Sequence, residues 1–156
     1  MIPVSRPSTD IEEFQEIKKV LKTAWLGLGS VVFEFEKKLE DYIGKGHVIA
    51  VNTGTSALHI ALDSAGIGAG HEVIVPSLTF CATIEAITAT GATPVFCEIE
   101  PDTLNIDIDD AEKRITNKTK AIMPVHYCGN PCDMDRLIKI GRKRDILVIE
   151  DAAHAF

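Results

Sequence analysis

A carboxylate and an imidazole stand three positions apart near the end of the sequence, directly after a short apolar run. The run, Ile146 to Glu150, is typical of a fully buried strand in a parallel sheet, and Asp151 follows it. Ligands of open α/β sheets bind beyond the carboxyl ends of the strands, so Asp151 and His154 stand where a cofactor is expected. Two alternatives are that Asp151 caps a following helix and that His154 closes a local hydrogen-bond network.

A second group with binding chemistry is Gly54, Thr55 and Ser56, which follow the apolar run 47–51 and open a predicted helix. The N-terminus of a helix presents N–H groups without intrahelical partners and a partial positive charge. With the hydroxyl groups of Thr55 and Ser56, it would suit a phosphate. Simple capping of the helix by Thr or Ser is the alternative.

An aromatic residue, Phe80, stands at the same predicted rim, one residue into a helix that follows the strand 72–76. At that position it is either a stacking platform for a ligand or a core residue, since aromatic side chains are often buried.

Other catalytic and metal-binding patterns are absent or incomplete. The glycines from Gly66 to Gly70 follow a predicted helix and precede a strand, the reverse of the dinucleotide fingerprint. His126, Cys128 and Cys132 do not have the usual zinc spacing and lack a fourth ligand. The sequence contains neither a P-loop motif nor a serine nucleophile elbow. We therefore predict no metal site.

Composition narrows the class of protein. The 156 residues are 46% hydrophobic and 25% charged, as in an ordinary soluble globular protein. A net charge of −7 argues against a nucleic-acid partner, whose binding surface would be basic. Without a long apolar run or signal architecture, we predict no membrane association and a cytoplasmic protein. The four cysteines have no framework spacing and are predicted to be reduced.

The first 45 residues are predicted to form a helical arm. A capping box, Thr9 with Glu12, begins a helix that runs to about Thr23, and a second amphipathic helix follows from Val32 to Tyr42. Because no strand precedes either helix, residues 1–45 are expected to lie against the domain or a partner.

Residues 46–156 show a regular alternation of strands and helices. Strands are predicted at 47–51, 72–76, 93–99, 119–125 and 146–150, and helices at 55–65, 79–90, about 109–115 and 133–144. Parallel neighbours need a crossover helix, so the pattern predicts a doubly wound, mostly parallel α/β sheet with helices on both faces.

Short motifs occur in a fixed order along the chain: Trp25-Leu26-Gly27-x-Gly29, Phe35-Glu36, 52–58 (NTGTSAL), 72–80 (EVIVPSLTF), 91–96 (GATPVF), 124–126 (PVH) and 150–155 (EDAAHA). Together they resemble the N-terminal part of the DegT-type (DegT/StrS) sugar aminotransferases, pyridoxal-phosphate enzymes of the aspartate aminotransferase fold. The resemblance covers essentially the whole chain. It implies a pyridoxal 5'-phosphate cofactor and transfer of an amino group, usually from glutamate, to a nucleotide-linked keto sugar. It also implies a homodimer and a role in polysaccharide or amino-sugar biosynthesis.

The resemblance also implies roles for single residues. Asp151 would pair with the protonated pyridine nitrogen, which keeps the ring electron-withdrawing. Phe80 would stack on the ring, His154 would lie near its phenolic oxygen, and Gly54 with Thr55 and Ser56 would hold the phosphate.

Trp25 and Gly27 are similar to the family's segment near the substrate and the subunit interface. The alternative is a turn that ends the helix and buries the tryptophan.

One element of the family pattern has no match. In the family the lysine that forms the Schiff base lies downstream of the motif that contains Asp151, whereas Lys120, Lys139 and Lys143 are predicted to be solvated. We therefore expect an N-terminal fragment that lacks the rest of the cofactor domain and the small domain, and that does not complete a transamination by itself. A sugar dehydratase of the same family, in which histidine replaces the lysine, and a non-catalytic domain that binds a partner are the alternatives.

Overall fold

The structure is a computed structural model that describes residues 7–155; residues 1–6 of the predicted arm and Phe156 lie outside this range. The chain divides into two compact units with the boundary between Ala50 and Val51. Each unit is described by itself. Between residues 7 and 155, no helix has both the length and the apolarity needed to cross a membrane.

The first unit contains two helices, α1 (Ile11–Thr23) and α2 (Ser30–Ile43). The predicted capping box is wrong by one residue: Asp10 is the N-cap of α1, and the Glu13 carboxylate accepts the N–H of Asp10 at 2.6 Å. Asp10 and Glu13 form the capping box because a carboxylate at the N-cap accepts backbone N–H groups, and a glutamate three positions later can bond to the N–H of the cap residue.

The strand predicted at 47–51 is wrong. The N–H of Val48 donates to Oε1 of Glu40 at 3.2 Å, and the N–H of Ala50 donates to Oε1 of Glu36 at 2.8 Å. Two alternate backbone donors are therefore bonded to side chains of α2, and they are not available to a sheet ladder.

The second unit alternates helices and strands in this order: α3 (Gly54–Ser64), β1 (Glu72–Pro76), α4 (Cys81–Ala89), β2 (Thr93–Cys97), α5 (Ile108–Lys113), β3 (Thr119–Ile122), a 3₁₀ turn (Tyr127–Gly129), α6 (Met134–Arg144) and β4 (Leu147–Val148). Within the described chain the sheet has four strands in the order β2-β1-β3-β4, and every pair is parallel. The predicted α/β class is thereby confirmed.

Helices cover both faces of the sheet because successive side chains of a strand point to opposite faces. Val73 and Val75 of β1 belong to a buried cluster with Leu58, Leu62 and Ile87 of α3 and α4. Ile74, between them, belongs to a second cluster with residues of α5 and α6 that include Ala111, Leu137 and Ile140. One strand thus contributes to two cores.

The last strand is shorter and less buried than predicted. β4 spans Leu147–Val148, and Leu147 remains 48% exposed. The prediction of a fully buried strand is wrong because β4 pairs with β3 on one side and forms the edge of the described sheet. An isolated parallel bridge between Val125 and Asp151 extends the pairing of these two segments beyond β4.

Candidate functional site

A cleft lies in the second unit at the point where the chain changes from adding strands on one side of β1 to adding them on the other. The chain places β2 on one side of β1 and then crosses to place β3 on the other side. In open α/β sheets such a switch point opens a crevice beyond the carboxyl ends of the strands. A cleft of about 420 Å³ lies there, lined by Gly54, Thr55, Leu58, Leu78, Thr79, Phe80, Ala82, Val125, His126, Tyr127, Asp151, Ala153 and His154.

Asp151 is buried and held through both its main chain and its carboxylate. Its N–H donates to the carbonyl of Pro124 at 2.9 Å, and its own carbonyl accepts the N–H of His126 at 3.2 Å. Oδ2 accepts the hydroxyl of Thr83 at 2.7 Å, and Oδ1 accepts the N–H of Ala153 at 3.2 Å. No helix begins between residues 152 and 155, so the capping alternative has no support in the described chain.

Thr83 and Thr79, which the sequence reasoning missed, extend this network. The Thr83 side chain is 0% exposed, and its Oγ1 lies 2.7 Å from Oγ1 of Thr79. The signal was present in the sequence, because residues four positions apart near the start of a helix face the same side. Two threonines at that spacing after a strand therefore indicate a pair of hydroxyl groups near the carboxyl end of the strand.

The N-terminus of α3 presents two residues to the cleft. Thr53, the N-cap, accepts the N–H of Ser56 at 3.0 Å, while the Ser56 hydroxyl donates to Oδ1 of Asn52 at 3.0 Å. Gly54 and Thr55 line the cleft, and the N–H groups at these first positions have no intrahelical acceptor. The structure thus brings Gly54 and Thr55 to the cleft and directs the Ser56 hydroxyl to Asn52.

The electrostatics of this helix terminus favour an anion. No acidic side chain lies in the first turn of α3 to neutralise the partial positive charge of the helix. A Cβ placed on Gly54 would meet no atom within 4 Å, so the space beside this backbone is open.

Phe80 is the N-cap residue of α4, one position before the helix in which the sequence placed it. Phe80 is 73% exposed and lines the cleft, so the alternative that it is a core residue is wrong. The carbonyl of Phe80 accepts the N–H of Thr83 at 3.1 Å, which links the aromatic residue to the network around Asp151.

Two histidines line the cleft, with different surroundings. His154 is exposed, on the turn after Asp151. His126 is buried: its Nδ1 accepts the N–H of Cys132 at 3.1 Å, and its Nε2 lies 2.9 Å from Oε2 of Glu150. Both ring nitrogens are therefore engaged within the protein. In the part of the chain that the structure describes, no cluster of three His, Cys, Asp or Glu side chains is arranged to hold a metal ion.

Trp25 and Gly27 belong to the first unit, where they line a separate cavity of about 320 Å³. Trp25 is 65% exposed, so the alternative of a buried tryptophan is wrong. Its Nε1 donates to the carbonyl of Leu28 at 2.9 Å. A Cβ on Gly29 would lie 2.8 Å from that nitrogen, so a larger residue at this position would require the ring to shift.

The lysines named from the sequence lie away from the cleft. Lys120, Lys139 and Lys143 are exposed, as predicted, and the lining of the cleft within residues 7–155 includes no lysine.

The chain is similar to a GDP-perosamine synthase and to a polysaccharide biosynthesis protein. It is 48% identical to the GDP-perosamine synthase of Caulobacter vibrioides, over 99% of this chain and 42% of that protein. It is 46% identical to the spore coat polysaccharide biosynthesis protein SpsC of Bacillus subtilis, over 99% of this chain and 40% of that protein. The chain therefore spans about two fifths of the length of these curated relatives.

A solved structure agrees with the sequence comparison. The protein Spr1654 of Streptococcus pneumoniae, solved in a PLP-form and a PMP-form, superposes with a TM-score of 0.91 at 36% identity, over 99% of this chain and 43% of that one. The profile of the DegT/DnrJ/EryC1/StrS aminotransferase family matches residues 7–156. Because that match covers nearly the whole sequence, the chain belongs to the DegT/DnrJ/EryC1/StrS aminotransferase family.

Proposed function

We propose that this chain forms part of the pyridoxal 5'-phosphate site of an aminotransferase that acts on a nucleotide-linked keto sugar, in polysaccharide or amino-sugar biosynthesis. Family membership, the names of the two sugar-processing relatives and the PLP- and PMP-forms of Spr1654 support the proposal. The observation that carries it is a buried, hydrogen-bonded carboxylate, Asp151, in the same cleft as the N-terminus of α3, whose first turn contains no acidic side chain.

The residues of the cleft fit this cofactor. A pyridoxal phosphate has a basic ring nitrogen, an aromatic face and a phosphate. The cleft offers an acid in Asp151, an exposed ring in Phe80, and the N–H groups of Gly54 and Thr55 without a competing acidic side chain. Its volume of about 420 Å³ also falls in the usual range of small-molecule sites.

Asp151 would hold a proton on the pyridine nitrogen. When bound, the cofactor supplies an electron-withdrawing ring for carbanion chemistry, and that capacity depends on the protonated nitrogen. The donors from Thr83 and Ala153 orient the Asp151 carboxylate.

The N-terminus of α3 would bind the phosphate through the N–H groups of Gly54 and Thr55 and the Thr55 hydroxyl. For Ser56 we propose a supporting role. Its N–H and hydroxyl are bonded to Thr53 and Asn52, so it stabilises the turn that presents its two neighbours.

Two further contacts and one interface complete the proposal. Phe80 would stack on the ring, and His154 would contact the phenolic oxygen. Trp25 and Gly27 would contribute to substrate binding or to a contact between subunits.

The proposal includes glutamate as amino donor and a homodimeric protein. It also includes a cytoplasmic location, which the four free cysteines support.

Equilibrium dialysis with pyridoxamine 5'-phosphate tests the cofactor site, because this form needs no lysine for retention. The chain should bind it, and Asp151→Ala should weaken binding at least about tenfold, the loss expected for a hydrogen bond between charged groups. Thr88→Val, at an exposed position of α4, is the matched control. Unchanged binding by Asp151→Ala would count against the proposal.

Catalysis is tested separately. Because no lysine lines the described cleft, the 156 residues alone should bind the cofactor without forming 2-oxoglutarate from glutamate. Turnover by these residues, measured with a coupled 2-oxoglutarate assay, would overturn that part of the proposal.

A further inference from the structure

Thr83 contacts both residues proposed to flank the cofactor ring. Its N–H donates to the carbonyl of Phe80 at 3.1 Å, and its hydroxyl donates to Oδ2 of Asp151 at 2.7 Å across 68 residues of sequence. The side chain is fully buried and is not part of the cleft lining, so no contact between Thr83 and a bound ligand is required.

The number of protons fixes the direction of the hydroxyl chain. A carboxylate is an acceptor, so the single hydroxyl proton of Thr83 points to Asp151. The 2.7 Å bond between Thr79 and Thr83 must then use the proton of Thr79. The Thr79 hydroxyl thus donates to Thr83, and the Thr83 hydroxyl donates to Oδ2 of Asp151.

We propose that Thr83 is a positioning residue that aligns the Asp151 carboxylate with the ring nitrogen of the cofactor. The inference rests on the proposed function. Because Thr83 is 0% exposed, water cannot take the place of its hydroxyl in an isosteric variant. Removal of the hydroxyl leaves Oδ2 of Asp151 without this donor, so that the Ala153 N–H bond to Oδ1 remains to hold the carboxylate.

Two ligands separate positioning from a general structural role. Pyridoxamine 5'-phosphate carries the ring nitrogen, and its 1-deaza analogue carries a C–H group at that position. We expect Thr83→Val to weaken binding of pyridoxamine 5'-phosphate about tenfold or more and binding of the analogue less than about twofold. Thr83→Ser, which keeps the hydroxyl, should restore binding to within about threefold of the unaltered chain.

The controls keep the outcomes distinct. Thr88→Val alters a threonine in the same helix whose hydroxyl bonds to the carbonyls of Ile84 and Glu85, and it should bind both ligands normally. If Thr83→Val does not fold, Thr83→Ala makes the same comparison, because it removes atoms and introduces no clash.

Equal losses for both ligands would overturn the inference, because the hydroxyl would then act through general stability. Unchanged binding of pyridoxamine 5'-phosphate by the folded variant would overturn it as well. In both cases the proposed function stands. If the unaltered chain binds neither ligand, the proposed function fails, and the inference fails with it.

Discussion

Nε2 of the buried His126 lies 2.9 Å from Oε2 of Glu150, while Nδ1 of the same ring accepts the N–H of Cys132. Since Nδ1 is the acceptor of an amide proton, the ring proton of the neutral tautomer lies on Nε2 and is donated to Glu150. A single side chain thus joins the segment after β3 to the segment after β4.

The two bonds of His126 should differ in their effect on stability. His126→Leu leaves the Cys132 amide without its acceptor and should lower the free energy of unfolding by about 1 to 3 kcal/mol. Glu150→Leu should cost less than about 1 kcal/mol, because the Glu150 side chain is 49% exposed and solvent weakens its pair with His126. Urea denaturation measures both changes, with Glu150→Gln as the conservative control. A Glu150→Leu variant as unstable as His126→Leu would refute this ranking.

Thr55 and Ser56 are adjacent but should affect different properties. Thr55 lines the cleft, so Thr55→Val should weaken binding of pyridoxamine 5'-phosphate about threefold or more and leave stability nearly unchanged. The Ser56 hydroxyl bonds to Asn52, so Ser56→Ala should lower the free energy of unfolding by about 0.5 to 1 kcal/mol. Dialysis and denaturation of the matched pair check this, and a larger loss of binding in Ser56→Ala would reverse the assignment.

Phe80 should affect binding without affecting stability. Because Phe80 is exposed, its ring contributes little hydrophobic stabilisation to the fold. Phe80→Ala should therefore change the free energy of unfolding by no more than about 0.5 kcal/mol. The same variant should weaken binding of pyridoxamine 5'-phosphate, because stacking contributes about 0.5 to 1.5 kcal/mol. Phe80→Tyr keeps the ring and should bind normally. A loss of stability on the scale of a core truncation would show that the ring is packed in solution.

Cys97 should make the protein less stable in alkali. Burial, with a smaller effect of the Asp110 charge, raises the pKa of the Cys97 thiol from 9.0 to about 12, and the thiol also donates to the carbonyl of Val75. The stabilising contribution is complete below the unfolded pKa of 9.0 and is lost as pH rises toward 12, because the unfolded chain then releases a proton that the folded chain keeps.

Denaturation at pH 8, 9.5 and 10.5 would measure this effect. The free energy of unfolding should fall more steeply in the unaltered chain than in Cys97→Ala, by at most about 1.4 kcal/mol per pH unit. Cys81→Ala, at an exposed thiol, should keep the steeper slope. Parallel slopes for all three proteins would exclude the buried thiol as the cause.

The fold could be predicted where a strand is buried on both faces. Val73, Ile74 and Val75 form a continuous apolar run because both faces of β1 are covered by helices, and that run identified a central parallel strand. The run at 47–51 looks equally strand-like, but Glu36 and Glu40 hold its backbone donors. Composition does not reveal which partner a backbone N–H will find.

The site could be predicted where a residue directly follows a strand or opens a helix. Asp151, Thr55 and Phe80 were located in this way, and the cleft brings them together. Thr83 was missed because its role depends on a contact across 68 residues of sequence. The Ser56 hydroxyl was assigned to the ligand, but sequence alone does not show its competition with Asn52.

The cleft draws its lining from positions as far apart as Gly54 and His154, with Asp151 supplied near the end of the described chain. During synthesis, helix α3, whose N–H groups are proposed to bind the phosphate, emerges long before Asp151. A ligand that binds both groups cannot stabilise a chain in which the sheet is only partly formed. Its binding energy stabilises the fold only after the segment that contains Asp151 has joined the sheet. Cofactor binding would therefore stabilise only those chains in which the segments after β1, β3 and β4 lie together at the cleft.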